Sequence, residues 1–152
     1  MPARMTNPVM VVPDALPTLL DLAKVIEKVG LPKTTRDLVH LRVSQINGCA
    51  ACIHLHVPDL GKADETDRRL LMVAAWREAP YFTDAERAAL ALAEAVTRIG
   101  DRADPVPDEV WDEAARHYTE PELGALVMGI GLVNLWNRVN ASTKQVPGDG
   151  WG

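Results

Sequence analysis

From residue 14 to residue 144 the sequence predicts an all-α single domain of about six or seven helices, and three observations carry that prediction. Apolar residues return at intervals of three and four, the period of a helix with one face turned inward. Helix-stopping residues interrupt the pattern at Gly30, Pro32, Gly48, Gly61, Pro80 and Gly100. No stretch alternates apolar and polar residues as a half-buried strand would, and the chain has neither an internal repeat nor a phosphate-binding glycine loop. The 152 residues, 47% apolar and 24% charged, suit one globular domain with a real core. Residues 1–13 read as an N-terminal arm and residues 145–152 as a patternless tail.

The arm carries the apolar run Val9-Met10-Val11-Val12, too short to span a bilayer. It is expected either to fray or to lie on a neighbouring subunit. Asp14 is placed to cap the first helix, which turns Leu16, Leu19, Leu20, Ala23 and Ile26 inward and stops at Gly30 and Pro32. Thr34 or Thr35 starts the second, with Leu38, Leu41 and Gln45 on one face and Asp37 in the first turn. Gly48 in a left-handed conformation would close it and let the next begin near Cys49. That third helix is expected to reach about Leu60, with Gly61 closing it and Pro58 kinking or ending it. A fourth opens at Asp64 to Asp67, runs through Leu70, Leu71, Val73, Ala74 and Trp76, and stops at Pro80. Thr83 and Glu86 form a capping box for the fifth, whose Ala88, Leu90, Ala91, Leu92, Ala95 and Val96 make a small-residue apolar surface. A short helix follows near Asp108 to His117, with His117 read as a surface histidine. Thr119 and Glu122 cap the last, whose stretch from Leu123 to Val133 is apolar on every side. That helix is expected at the centre or between subunits. Trp136 and Arg138 beyond it suit an interface or a pocket wall, core packing being the plainer use of the tryptophan.

The reactive residues gather between Arg36 and His56. This stretch holds both cysteines, Cys49 and Cys52, and three of the four histidines. Two thiols separated by two residues can form a short-loop disulfide, a redox dithiol or part of a metal site, or can pack as small hydrophobes. A helix beginning near Cys49 puts Cys49 and Cys52 at i,i+3 and Cys52 and His56 at i,i+4, so the three share one face. The first turn of a helix stabilises a thiolate, most of all at Cys52, and an imidazole one turn on can move a proton near neutral pH. Zinc ranks behind this reading. Along the axis Cys49 and His56 lie roughly 10 Å apart, and no second Cys/His cluster offers a fourth ligand. No metal and no bound cofactor is expected.

The run L-R-V-S-Q-I-N-G-C-A-A-C-I-H-L-H, Leu41 to His56, resembles the carboxymuconolactone decarboxylase family, in particular its alkylhydroperoxidase D-like branch. The resemblance extends through Trp76-Arg77, the helix start at Phe82-Thr83 and the closing Trp136-Asn137-Arg138-Val139-Asn140. It implies an all-helical subunit, a homo-oligomer that is commonly a trimer or a hexamer, and a dithiol pocket near an interface. The family pattern is a glutamate, eleven residues, Cys-x-x-Cys, then a histidine after three more. It implies Cys52 as the attacking sulfur, Cys49 as the resolving one, His56 as proton shuttle and Asp37 as its charge partner. Asp37 stands where the pattern has glutamate, one methylene shorter, and Ala51 stands where the peroxidase prototype carries a histidine.

The implied activity is a thiol-dependent, peroxidase-like oxidoreductase of the antioxidant type, taking a hydroperoxide or other small molecule and an external thiol or protein reductant. The alternatives are a redox-sensing or small-molecule-binding homo-oligomer without turnover and, behind it, the family's lactone decarboxylase chemistry, in which the cysteine pair would have no task. A formal charge of −5 and the absence of a basic stripe argue against nucleic acid and anionic membranes as partners. The arm lacks the apolar core of a signal peptide, so the cytoplasm is the expected compartment, where such a pair cycles rather than staples.

Overall fold

The apolar period of the sequence needs helices that cover one another, and the computed structural model, which describes residues 2–56 and 65–148, has eight α-helices and no strand among the described residues. They are α1 (Pro8–Val11), α2 (Ala15–Glu27), α3 (Lys33–Asn47), α4 (Ala50–His56), α5 (Glu65–Met72), α6 (Asp84–Thr97), α7 (Asp108–His117) and α8 (Glu120–Ser142). Helix α3 lies in the middle. Its Val39 and Val43 pack with Leu92 and Ala93 of α6 and Leu126, Ile130 and Val133 of α8. Its Leu38 and Leu41 join a second cluster with Val73, Trp76, Phe82 and Leu90. Each of these buried leucines and valines contributes about 1.5–3 kcal/mol of hydrophobic stabilisation. The buried alanines of α6, Ala88, Ala89 and Ala93, let its neighbours approach closely.

Local signals set several boundaries. Gly48 closes α3 at φ 65°, and the amide of Cys49 returns to the Ser44 carbonyl at 3.1 Å, a left-handed helix stop. Thr83 and Glu86 form the expected box at the start of α6, with reciprocal bonds of 3.2 and 2.9 Å. At the start of α8 the Glu122 carboxylate accepts from the Thr119 amide and hydroxyl at 2.8 and 2.9 Å.

Other expectations are corrected. Asp14 precedes α2 in a left-handed conformation, φ 63°, and its side chain makes no capping bond. Helix α3 begins at Lys33 rather than at a threonine, because Pro32 is tolerated just before a helix while Thr35 is drawn into the core. Asp37 therefore sits in the second turn, four residues from Lys33 and paired with it at 2.5 Å. The α-helix through Leu70 stops at Met72 and tightens into a 3-10 turn, Val73–Ala75, that turns Trp76 inward. The expectations placed on Pro58, Leu60, Gly61 and Asp64 lie outside the described residues.

The largest differences concern the arm and the last helix. Residues of the arm lie on their own chain: the Arg4 amide and guanidinium donate to the Thr143 and Ser142 carbonyls, and Gln145 donates to the Met5 carbonyl. Asn7 caps α1, and Val9 is buried. Helix α8 buries Leu123, Leu126, Ile130, Val133, Asn137 and Asn140, yet leaves Gly124, Met128, Gly131 and Leu135 exposed at alternating spacings of four and three. Within one chain it is thus covered on one face.

Candidate active site

The Gly48 turn delivers Cys49 to the start of α4, where its sulfur accepts the Cys52 amide at 3.3 Å and its carbonyl receives the first helical bond, from Ile53. Cys49 and Cys52, with Cα atoms 5.3 Å apart, form a disulfide, and both are buried. Cys52 is the one that reaches open space. It lines a cavity of about 500 Å³ whose apolar wall comes from Met10, Leu16, Leu20 and Leu132. The polar part of the lining is His40 and Ser44 from α3, His56 from α4, and Trp136, Asn137 and Asn140 from α8.

Two imidazoles meet at this cavity. The His40 and His56 rings stand edge to face with centroids 5.6 Å apart. Burial lowers His40 from its ordinary 6.5 to about 4, the neighbouring His56 adding to the effect and Asp37 opposing it. Burial also holds His56 below its ordinary value against the opposing charge of Asp37. Both rings are neutral at pH 7 and each offers a proton-accepting nitrogen.

Amides fix the other wall. Asn140 donates to the Cys52 sulfur at 3.3 Å and accepts from Asn7 at 2.8 Å. Asn137 donates to the Ser44 hydroxyl at 3.0 Å and accepts from Asn47 at 2.9 Å, tying α3 to α8 beside the dithiol.

Of the residues singled out in the sequence, the structure brings Cys52 and His56 to the cavity directly and Cys49 through the disulfide. Asp37 is not part of its lining. It borders a separate cleft of about 200 Å³ with Lys33 and Arg69, and acts on the imidazoles by charge alone. Trp136 is a cavity wall. Arg138 is exposed and returns to Asn134, and His117 pairs with Glu113 on the surface. His40, Ser44, Asn7 and Asn140 were missed. A signal existed for two of them, since His40 and Ser44 lie one turn apart on the same face of α3. No group of three or more His, Cys, Asp or Glu side chains that could hold a metal ion is found among the described residues.

The fold and this site together define a small all-helical protein with a Cys-x-x-Cys pair at the start of a helix. The sequence pattern of the carboxymuconolactone decarboxylase family matches residues 13–95, more than half of the chain, and the protein belongs to that family. It is 37% identical over 130 residues to the uncharacterized protein YdfG of Bacillus subtilis (strain 168), covering 86% of this chain and 87% of that one. Among solved structures it superposes on ATU0492 of Agrobacterium tumefaciens, described as a protein of unknown function and a candidate antioxidant defence protein AhpD. There the TM-score is 0.83 with 29% identity, over 97% of this chain and 99% of that one. It also shares its fold with the debrominase Bmp8, at a TM-score of 0.73 and 21% identity over 90% of this chain and 73% of that one. The family and a cysteine pair at disulfide distance fit a redox role.

Proposed function

We propose that the protein is a dithiol peroxidase that reduces apolar organic hydroperoxides of moderate size. The observation that carries this reading is the opening of the Cys52 sulfur onto a largely apolar cavity that also holds two neutral imidazoles. In the reduced enzyme, His56 takes the Cys52 proton. The thiolate attacks the terminal peroxide oxygen, an S–O bond forms as the O–O bond breaks, and the alkoxide leaves with the proton from the imidazolium. Cys49 then attacks the resulting sulfenic acid, its own proton and the departing hydroxide giving water, and the disulfide remains. An external dithiol returns the electrons. His40 is the second proton-handling group. Asp37, tied to Lys33, biases both rings by charge.

The exposed stripe on α8 supports self-association through that face, in line with a trimer or hexamer. The cytoplasm suits the cycle, because its thiol pool reopens such disulfides. The alternative of a redox sensor is favoured by one observation, that Asp37 is paired with Lys33 instead of lying in the cavity. The test is to treat the reduced protein with one equivalent of an organic hydroperoxide and follow the Cys49–Cys52 peptide by mass spectrometry. Loss of two hydrogens together with sustained peroxide consumption under excess dithiol supports the peroxidase. The same oxidation without sustained consumption supports the sensor.

A further inference from the structure

A chain of hydrogen bonds runs from the N-terminal arm to the reactive sulfur, and each link fixes the next. Asn7 caps α1, so its Oδ1 accepts the Val9 amide at 3.2 Å. With the oxygen fixed, its Nδ2 must point the other way, and there it donates to Asn140 Oδ1 at 2.8 Å. With that oxygen occupied in turn, Asn140 presents Nδ2 to the Cys52 sulfur at 3.3 Å. Side-chain amides can ordinarily be turned over, but here a backbone N–H decides the sense of both. Asn7 and Asn140 are both buried, as is Cys52. The two asparagines are 133 residues apart, yet they form one relay.

We propose that Asn140, oriented by Asn7, is a positioning residue that stabilises the Cys52 thiolate, so that docking of the N-terminal arm sets the reactivity of the site. A disulfide sulfur is a weak acceptor, whereas a thiolate is a strong one, so the same amide contact becomes charge-assisted once the pair is reduced. The titratable groups that face Cys52 are Cys49 beside it, His40 from α3 and His56 from α4, with Asp37 and Lys33 acting on those two rings. The cavity lining from α8 is Leu132, Val133, Trp136, Asn137 and Asn140, and from α1 and α2 it is Met10, Leu16, Leu20 and Ala23. None of these titrates, and the Asn140 amide is an α8 donor that the structure places on the sulfur, at 3.3 Å. The inference rests on Cys52 being the attacking sulfur of the proposed cycle.

The test is the pH profile of Cys52 alkylation by iodoacetamide in full-length Cys49→Ser protein, where Cys52 is the only cysteine. Alkylation reads the thiolate without peroxide, so this test can fail while peroxidase turnover stands, and the reverse. In Asn140→Ala the alkylation midpoint should rise by about one pH unit, which is about a tenfold lower rate below the midpoint. Asn7→Asp separates the relay from simple docking. Its carboxylate still caps Val9 but has no hydrogen to donate, so Asn140 turns its oxygen toward the sulfur and the midpoint rises at least as far. An unchanged midpoint in either folded variant overturns the relay. In the Cys49→Ser protein with no further change, the Asn140 side-chain amide resonances, followed by NMR, should titrate with the Cys52 midpoint. Their failure to do so overturns the proposal even if a variant does not fold.

Discussion

Two polar clusters are buried against α3, and they are built on opposite principles. On one side Glu94 of α6 receives Arg42 Nε at 2.8 Å, Trp76 Nε1 at 3.0 Å and Arg77 Nη1 at 2.7 Å, while Arg77 also lies over the Trp76 ring. Burial alone would raise the Glu94 pKa, but the hydrogen bonds from Trp76, Arg42 and Arg77 outweigh it and hold the carboxyl below its ordinary value. On the other side the dithiol cavity collects imidazoles that burial keeps neutral, amides, and an open volume. A buried charge whose every direction is taken is a fixed joint between α3, α6 and the Trp76 turn. Neutral groups arranged around a space remain able to exchange protons, which is what a reaction needs.

The sharpest way to separate the two clusters is to remove a sulfur. Cys52→Ser should lower reaction with hydroperoxide to the uncatalysed background, whereas Cys49→Ser should react once and halt as an unresolved sulfenic acid, detected by mass spectrometry as one added oxygen. Equal initial rates in the parent and Cys52→Ser would reverse the assignment of the nucleophile. Neither serine should cost the fold more than the loss of the disulfide does.

Breaking the other cluster should do the opposite. Glu94→Ala leaves Arg42 buried without its carboxylate and should lower unfolding free energy in urea by about 3–5 kcal/mol. The folded fraction should keep its Cys52 alkylation rate. A variant as stable as the parent would mean that the network is not a joint.

The clusters should also respond to acid in different windows. The folded-state pKa of His40 lies below its unfolded value, so the unfolded chain binds the proton first. Stability is then fully present above pH 6.5, falls as pH drops through that value, and levels off near pH 4. The loss should be about 3 kcal/mol and should disappear in His40→Gln. His56 adds in the same direction. The depressed Glu94 contributes stability that is present above the ordinary carboxyl value of 4.5 and is lost only as pH falls below it. Urea titrations from pH 8 to 3 that show one undivided transition in the parent and in His40→Gln would contradict this separation.

The smallest effect belongs to a face that neither cluster uses. Leu135→Lys on the exposed stripe of α8 should change the unfolding free energy of the subunit by within about 0.5 kcal/mol but reduce particle mass in light scattering. Leu126→Lys, at a buried position on the same helix, should unfold the subunit itself. An unchanged mass in Leu135→Lys would remove the stripe from the assembly.

What was legible in the sequence is what local geometry controls. The Gly48 stop, the Thr83–Glu86 box and the placement of Cys49, Cys52 and His56 on one helical face, in steps of three and four residues, depend only on near neighbours in the chain. Spacing along a helix is enough to read them. Asp37 was misplaced by one turn because a threonine is the stronger helix-start signal, and packing of Thr35 overrode it.

Only the tertiary structure decided which distant groups reach Cys52. The prototype's second histidine is absent at Ala51, which is buried beside the cysteines, and a second imidazole reaches the cavity from His40 instead. Asn140 lies 88 residues from Cys52 and Asn7 another arm away, and no periodicity links them. Likewise the run from Leu123 to Val133 is apolar all round, so its pattern does not choose which face the chain covers. That choice is made by the packing of α3, α6 and α2 against α8, because burial rewards apolar area without regard to sequence distance.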